Sequence, residues 1–252
     1  MNPAFLALAN LCLCTRLVCL FRNDVADARV WRLKTMVEVV VATVLFPVGS
    51  LWFAVVLTLA GFNYAGFRVE RRSRRKDFAR LLLGAFELAV LSVWLSPRLG
   101  LGFRPELATW AASLAQWTTL ASFFTLFGSA SFQLVLFGLL LAANESNLVI
   151  RAMFDWLDLK PRSGAAGSGG MVDVGEFNRG RIIGILERVL LYSFLLQAQY
   201  GAIGFILAAK AFTRFKALDD RPFAEYVLIG TLLSACLALA NGGMVRWLLG
   251  QP

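Results

Sequence analysis

Long apolar runs, interrupted by isolated charged residues, form the main pattern along this chain. The runs cover residues 3–21, 35–67, 78–95, 107–141, 180–216 and 225–249. A helix needs about 20 apolar residues to cross the hydrocarbon core of a bilayer, so runs of this length are typical of membrane-spanning helices. We therefore predict an all-α, polytopic helical membrane bundle of about six to eight hydrophobic segments, with hairpins or half-spans among them.

The runs 35–67 and 107–141 are each too long for one span, and each contains residues that interrupt helices. Pro47 stands in the middle of the run 35–67, and proline removes a backbone hydrogen bond and clashes with the preceding turn. A hairpin or one long kinked helix fits this run, and the hairpin agrees with the basic residues at both of its ends. In the run 107–141, Gly128 and Ser129 mark the expected break.

A stretch rich in glycine and serine separates two hydrophobic blocks. It contains PRSGAAGSGGMVDVG, which cannot build a packed core, so we predict a flexible linker over residues 161–176. Residues 1–160 then form an N-terminal membrane block, and residues 177–252 form a C-terminal block of the same membrane domain. We expect the first helix of the N-terminal block to be tilted or interfacial.

Composition supports the membrane interpretation and adds a basic surface. Hydrophobic residues make up 58% of the 252 residues, whereas soluble domains contain about 45–50%. The mean hydropathy is +0.67. The net charge of +9 is concentrated in a basic cluster between two apolar runs: Arg68, Arg71, Arg72, Arg74, Arg75 and Lys76. The positive-inside rule places this cluster in a cytoplasmic loop, with anionic lipid as its candidate partner and no nucleic acid.

Several enzyme classes lack the residues that they require. The sequence contains no histidine, which excludes histidine-based catalysis, histidine metal sites and the Ser-His-Asp triad. The four cysteines form no CxxC pair, and the phosphate-loop, HExxH and GxSxG motifs are missing. We predict no metal and no cofactor. The chain is not expected to be an enzyme, although an embedded lipid enzyme that uses arginine and glutamate stays an alternative.

Polar side chains inside the apolar runs are the candidates for function, because a charge in hydrocarbon is costly unless it is paired or reaches water. The candidates for binding or transport are Glu187, Arg188, Glu87, Asn144, Asn147, Arg151, Gln197 and Glu225. The group around Glu187 and Arg188 binds an anion or carries a proton, or it forms an interhelical salt bridge with Glu225 or Lys210 that only stabilises the fold. On one continuous helix, Arg181 and Lys210 would lie about 40 Å apart, each near a membrane surface.

The other candidates have equally plain structural alternatives. Asn144, Asn147 and Arg151 are spaced for one helical face, which could line a vestibule or could end a helix that leaves the membrane. Glu38 and Glu225 stand near the starts of their predicted helices, where the helix dipole favours an anion. Glu87 lies deeper in its run and is the better candidate for a proton-coupled role.

Three motifs in the last third of the chain carry a resemblance to a known group of proteins. They are GRIIGILER at 180–188, AIGFILAAKAFTRF at 202–215 and EYVLIGTLLS at 225–234. They resemble motifs of uncharacterised bacterial polytopic membrane proteins that contain a domain of unknown function. The resemblance implies a bacterial origin and a helical membrane location, but no reaction. Its motifs carry Glu187, Arg188, Lys210, Arg214 and Glu225.

We predict an integral membrane protein that acts as a small transporter or channel-like protein with a buried cluster of glutamate and arginine. The expected helix breaks at Pro47, Gly128 and Gly201 support this function, because broken helices line many transport sites. Two alternatives stay open: an accessory or assembly subunit of a membrane complex, and an embedded enzyme or binder of a lipid or polyprenyl phosphate. The expected location is the bacterial inner membrane with several spans. The expected partners are the bilayer and either a second copy or a partner subunit.

Overall fold

The protein is all-helical throughout the residues that the structure, a computed structural model, describes. These are residues 2–19, 27–73, 75–115, 126–157, 174–213 and 221–250. Helix makes up 87% and no strand occurs in this part of the chain. The predicted all-α class is therefore confirmed.

Ten α-helices are described, and two short turns of other helical types accompany them. The α-helices are α1 (Pro3–Arg16), α2 (Ala28–Leu45), α3 (Ser50–Arg72), α4 (Lys76–Trp94), α5 (Glu106–Ala115), α6 (Ala130–Leu140), α7 (Ser146–Trp156), α8 (Val174–Leu196), α9 (Tyr200–Thr213) and α10 (Arg221–Leu249). A 3₁₀ turn, Leu17–Cys19, follows α1. A π-helical turn, Leu141–Glu145, joins α6 to α7.

Three described helices are long and apolar enough to cross a membrane, which suggests a membrane protein. They are α3, the continuous helix Ala130–Trp156, and Leu228–Leu249 within α10. The long helices α2, α4 and α8 carry charged residues along much of their length, whereas the charged residues of α3 all lie at its end, within 68–72. Six to eight hydrophobic segments are therefore not confirmed.

The chain divides into two compact units, Met1–Phe137 (unit 1) and Gly138–Pro252 (unit 2). The division falls within α6, ahead of the predicted linker at 161–176. Residues 158–173 lie outside the described residues, and residues 174–176 already belong to α8. The end of the predicted linker is therefore helical.

The break predicted at Pro47 produces a helical hairpin in unit 1. Pro47 lies between the end of α2 and the start of α3, and the two helices pack side by side. Trp31, near the start of α2, donates its indole N–H to Glu70, near the end of α3, at 3.1 Å. The Trp31 ring packs against Gly66, where a Cβ would lie 2.7 Å from the ring. The hairpin, rather than one kinked helix, is correct.

The N-terminal helix α1 lies in the core of unit 1. It packs against α2 and α4. Leu8 of α1 belongs to a buried apolar cluster with Phe46, Leu59 and Leu91. Asn2 caps the helix: its Oδ1 accepts from the backbone N–H of Ala4, and its Nδ2 donates to a carbonyl at the end of α4 at 2.7 Å. These contacts hold α1 inside the bundle.

Helix α4 turns its large apolar side chains outward and its charged side chains inward. The outward side chains are Phe78, Leu82, Phe86 and Val93, which are 49–62% exposed. The buried residues of the same helix are Arg80, Gly84, Glu87 and Leu91. In water this arrangement would expose apolar surface and bury charge, both of which are unfavourable. In lipid it is the expected arrangement, because ionisable residues of membrane helices face the bundle interior.

Close helix packing in unit 2 depends on glycine. Helices α8 and α10 pack along each other. A Cβ on Gly138 would lie 2.5 Å from Val245 Cγ2 and 2.6 Å from the Tyr192 hydroxyl, and a Cβ on Gly242 would lie 2.8 Å from Leu195. Small residues of this kind let helix backbones approach closely in membrane proteins.

A sharp reversal at residues 197–199 separates α8 from α9. Ala198 has a φ of 57°, in the left-handed region that residues other than glycine seldom adopt. Helix α9 packs back against α8, and Lys210 reaches Glu187. The continuous helix that would put Arg181 and Lys210 about 40 Å apart is therefore wrong.

Candidate functional site

Four side chains form a buried hydrogen-bonded network among α1, α2 and α3 of unit 1, here called the Glu38 network. Lys34 Nζ lies 2.7 Å from Glu38 Oε1, one turn along α2, and donates to Asn63 Oδ1 at 2.5 Å. Asn63 Nδ2 donates to Glu38 Oε2 at 2.6 Å. Thr15 Oγ1 donates to Glu38 Oε1 at 2.5 Å. Both oxygens of Glu38 are thus hydrogen-bonded, so the network can hold a buried charge.

Cys12 and Glu87 lie beside the Glu38 network. The Cys12 sulfur and one carboxylate oxygen from each of Glu38 and Glu87 lie within 4.8 Å of one another, and all three residues are buried. Lys34 already neutralises Glu38, and Arg16 is close enough to Cys12 to act on it electrostatically. Because two cations stand near two carboxylates, the charges balance and the geometry does not favour a metal ion.

A second group of ion pairs joins α3 to α4 in unit 1. Arg80 pairs with Glu70 of α3 and, at 3.2 Å, with Asp77 of its own helix. Arg80 is 6% exposed and Glu70 is 2% exposed. Arg16 of α1 donates to the backbone carbonyl of Arg80 at 3.0 Å. Arg80 thus has two carboxylate partners, and these ion pairs can stabilise the packing of α3 against α4.

The basic cluster lies at the turn from α3 to α4. Arg68, Arg71, Arg72 and Arg75 are exposed, Lys76 is half-buried, and Arg74 lies outside the described residues. The guanidinium of Arg68 lies 5.2 Å from the centroid of the Tyr64 ring, and that of Arg71 lies 4.8 Å from the Phe67 ring. Aromatic and basic side chains together are typical of the membrane–water interface. The cluster forms a positive patch at one end of the candidate span α3.

In unit 2, the ion pair between Glu187 of α8 and Lys210 of α9 joins two helices. An interhelical salt bridge with Lys210 was one of the alternatives predicted from the sequence. Glu187 is only 7% exposed, and Lys210 contacts its Oε2. The other oxygen, Oε1, is buried and has no hydrogen-bond donor among the described residues. The pair therefore satisfies only half of the carboxylate.

Arg188 is held by the π-helical turn. Its Nε donates to the carbonyl of Ala142 at 2.8 Å, and its Nη2 lies 3.5 Å from the carbonyl of Ala143. Its Nη1 lies 3.3 Å from Ser234 Oγ on α10. A π-helical turn shifts carbonyls out of the regular α-helical ladder, which lets a side chain use them, and such turns are frequent at functional sites. The "Glu187 site" denotes Glu187, Arg188, Lys210, Ser234 and these two carbonyls.

The predicted polar face of Asn144, Asn147 and Arg151 is only partly formed. Asn144 and Asn147 are buried, and Arg151 is half-buried. The π-helical turn ends between the two asparagines and alters their spacing, while the helix continues to Trp156 instead of ending at Arg151. Asn144 Nδ2 donates to Glu145 at 3.0 Å. Asn144 Oδ1 and Asn147 Nδ2 are buried and have no hydrogen-bond partner among the described residues.

Two candidates predicted from the sequence, Gln197 and Glu225, lie at exposed positions. Gln197 is exposed at the reversal after α8, where its Nε2 donates to the carbonyl of Ser193 at 3.2 Å. Glu225 is exposed near the start of α10. Glu38, in contrast, lies in the middle of α2 and is fully buried, so it does not serve as a helix-start anion.

The partners of Glu38 were not predicted from the sequence. Lys34 precedes Glu38 by four residues, a spacing that brings two side chains together on a helix, so this pair had a usable signal. Pro47 predicted the hairpin of α2 and α3, and this hairpin brings Asn63 opposite Glu38. The contact from Thr15 had no comparable signal, because the packing of α1 against the hairpin depends on tertiary structure.

No protein-family model, curated protein or solved structure matches the chain. The resemblance to uncharacterised bacterial membrane proteins stays a prediction. The function is proposed from the buried polar groups described above.

Proposed function

We propose that the chain is a small transporter or channel-like membrane protein, and that the Glu187 site lies on its transport path. The three apolar helices support a membrane location. Outward apolar and inward charged faces support it further, because buried ionisable residues in membrane helices mark substrate or proton pathways.

Glu187 Oε1 is the observation that carries the proposal. A buried acceptor without a donor costs about 1–3 kcal/mol, and a salt bridge that served only to stabilise the fold would gain by satisfying it. Both oxygens of the buried Glu38, in contrast, are hydrogen-bonded. We propose that Oε1 of Glu187 accepts a proton or a donor group of the substrate during transport.

Irregular helical structure on both sides of the site supports the same function. The π-helical turn supplies the carbonyls that hold Arg188, and the reversal at 197–199 interrupts the path from α8 to α9. Interrupted helices at membrane depth are tolerated where they line a cavity or are buried in protein. They surround the ion and substrate sites of many transporters.

We further propose a multi-pass protein of the bacterial inner membrane, with the basic cluster on the cytoplasmic side. The positive-inside rule and the bacterial resemblance of the C-terminal motifs support this location. Anionic lipid is the proposed partner of the exposed arginines, because basic residues next to a span attract anionic headgroups. A second copy or a partner subunit is the remaining proposed partner.

Replacing Glu187 with glutamine is expected to abolish proton flux. Glutamine keeps the size of the side chain and an acceptor for Lys210 but cannot carry a proton. The measurement is proton entry into vesicles reconstituted with the purified full chain, driven by an imposed membrane potential and followed with an entrapped pH dye. The flux with the wild-type protein should exceed the flux in protein-free vesicles. The flux with Glu187→Gln should be about one tenth of the wild-type flux or less, the loss expected for one essential proton carrier.

Glu225→Gln is the matched control, because Glu225 is an exposed acid near the start of α10. It should keep the wild-type flux. Equal flux from Glu187→Gln and the control, with both proteins folded, would refute the proposed role of Glu187. If the purified wild-type protein shows no flux in the absence of a partner, an accessory subunit is favoured instead.

A further inference from the structure

We infer that the Glu187 site binds a small oxyanion, a phosphate or carboxylate group, through the Nη atoms of Arg188. The inference rests on the proposed function, since it names the substrate class of the same site. Two observations support it: the hydrogen bonds of the guanidinium and the space next to it.

Arg188 is the cation best placed to receive the anion. It is 2% exposed, and no described carboxylate forms an ion pair with it, since Glu187 pairs with Lys210. Its Nε bond to Ala142 is short, at 2.8 Å, and fixes the guanidinium. The Nη1 and Nη2 contacts are long, at 3.3 and 3.5 Å, so these two nitrogens are weakly bonded. Two adjacent guanidinium nitrogens match the paired oxygens of a carboxylate or phosphate.

Gly184 leaves space beside the Nη atoms. It lies one turn before Arg188 on α8, and a Cβ added there would meet only Arg188 Nη1, at 3.5 Å. Any larger side chain at this position would extend into the volume next to the guanidinium. Gly184 thus provides room for an oxyanion where a different residue would close it.

The test is direct binding of three probes to the purified full chain in maltoside micelles, without any flux measurement. Radiolabelled inorganic phosphate and radiolabelled acetate are measured by equilibrium dialysis, and phosphatidic acid is measured by native mass spectrometry. Gly184→Val and its matched control Gly180→Val are compared, because a Cβ on Gly180 meets no atom within 4 Å. Arg188→Gln is the second variant.

Saturable binding of at least one probe is expected, weakened at least about tenfold by Gly184→Val and by Arg188→Gln but unchanged by Gly180→Val. Binding of phosphate or acetate identifies a free oxyanion, and binding of phosphatidic acid alone identifies a lipid headgroup. No saturable binding of any probe, or equal binding by Gly184→Val and Gly180→Val, would overturn the inference. Binding without proton flux would support the oxyanion site and refute only the transport function. Proton flux without binding would support the transport function and refute the oxyanion site.

Discussion

Replacing Lys34 with methionine is expected to lower the free energy of unfolding by about 3–5 kcal/mol, the usual cost of breaking a buried ion pair from one side. Methionine has a similar length, so the loss comes from charge rather than from a cavity. Glu38, at 0% exposure, would keep only Asn63 and Thr15 as partners. Reversible unfolding in mixed micelles of maltoside and dodecyl sulfate, followed by circular dichroism, gives the change.

The double variant Lys34→Met with Glu38→Gln separates charge from packing. Glutamine removes the unbalanced charge and still offers an oxygen to Asn63, so at least half of the lost stability should return. Arg32→Met is the control, because Arg32 is exposed on the same helix. If Lys34→Met and Arg32→Met change the free energy of unfolding equally, or if the double variant is less stable than Lys34→Met, the Lys34–Glu38 ion pair does not stabilise the fold.

Replacing Leu57 with aspartate is expected to prevent stable insertion of α3. Leu57 is 75% exposed and lies in the candidate span Ser50–Arg72. In water an exposed leucine exchanges for aspartate at little cost, whereas an acid at the centre of a spanning helix costs about 2.5–3.5 kcal/mol. The measurement is the fraction of full-length protein that stays in the membrane after alkaline extraction. A large fall is expected.

Leu99→Asp is the matched control, because Leu99 is also exposed but lies in the turn after α4. It should extract like the wild-type protein. If Leu57→Asp also extracts like the wild-type protein, the exposed face of α3 does not contact lipid and the membrane interpretation of that face fails.

Features that depend on local sequence were predicted well. The all-helical class followed from the apolar runs, and the hairpin followed from Pro47, because proline disrupts a helix wherever it falls in the interior. The start of α6 directly after Gly128 and Ser129 follows the same rule. Lys210 as a partner for Glu187 was one of the alternatives that the composition of the C-terminal run allowed.

Features that depend on tertiary packing were not predictable from one sequence. A helix break was predicted at Gly201, but the reversal lies at 197–199 and Gly201 belongs to α9. Ala198 adopts a left-handed conformation that alanine does not signal, so the position of the reversal had no local signal. The π-helical turn that holds Arg188 has no pattern of its own in LAANE. The burial of Glu38 and the exposure of Glu225 differ because α1 covers one and no described helix covers the other, although both stood near predicted helix starts.

The central claim is that the apolar outer faces of these helices contact lipid while the charged clusters face inward. The most direct measurement attaches a nitroxide to cysteine at Leu57 and, separately, at Arg71, in a chain whose native cysteines are alanine, reconstituted in vesicles. Electron paramagnetic resonance then compares collisions with oxygen, which dissolves in lipid, and with a water-soluble nickel complex. We expect oxygen to dominate at Leu57 and nickel to dominate at Arg71. Dominant nickel collisions at both positions would show that α3 lies in water and would contradict the claim.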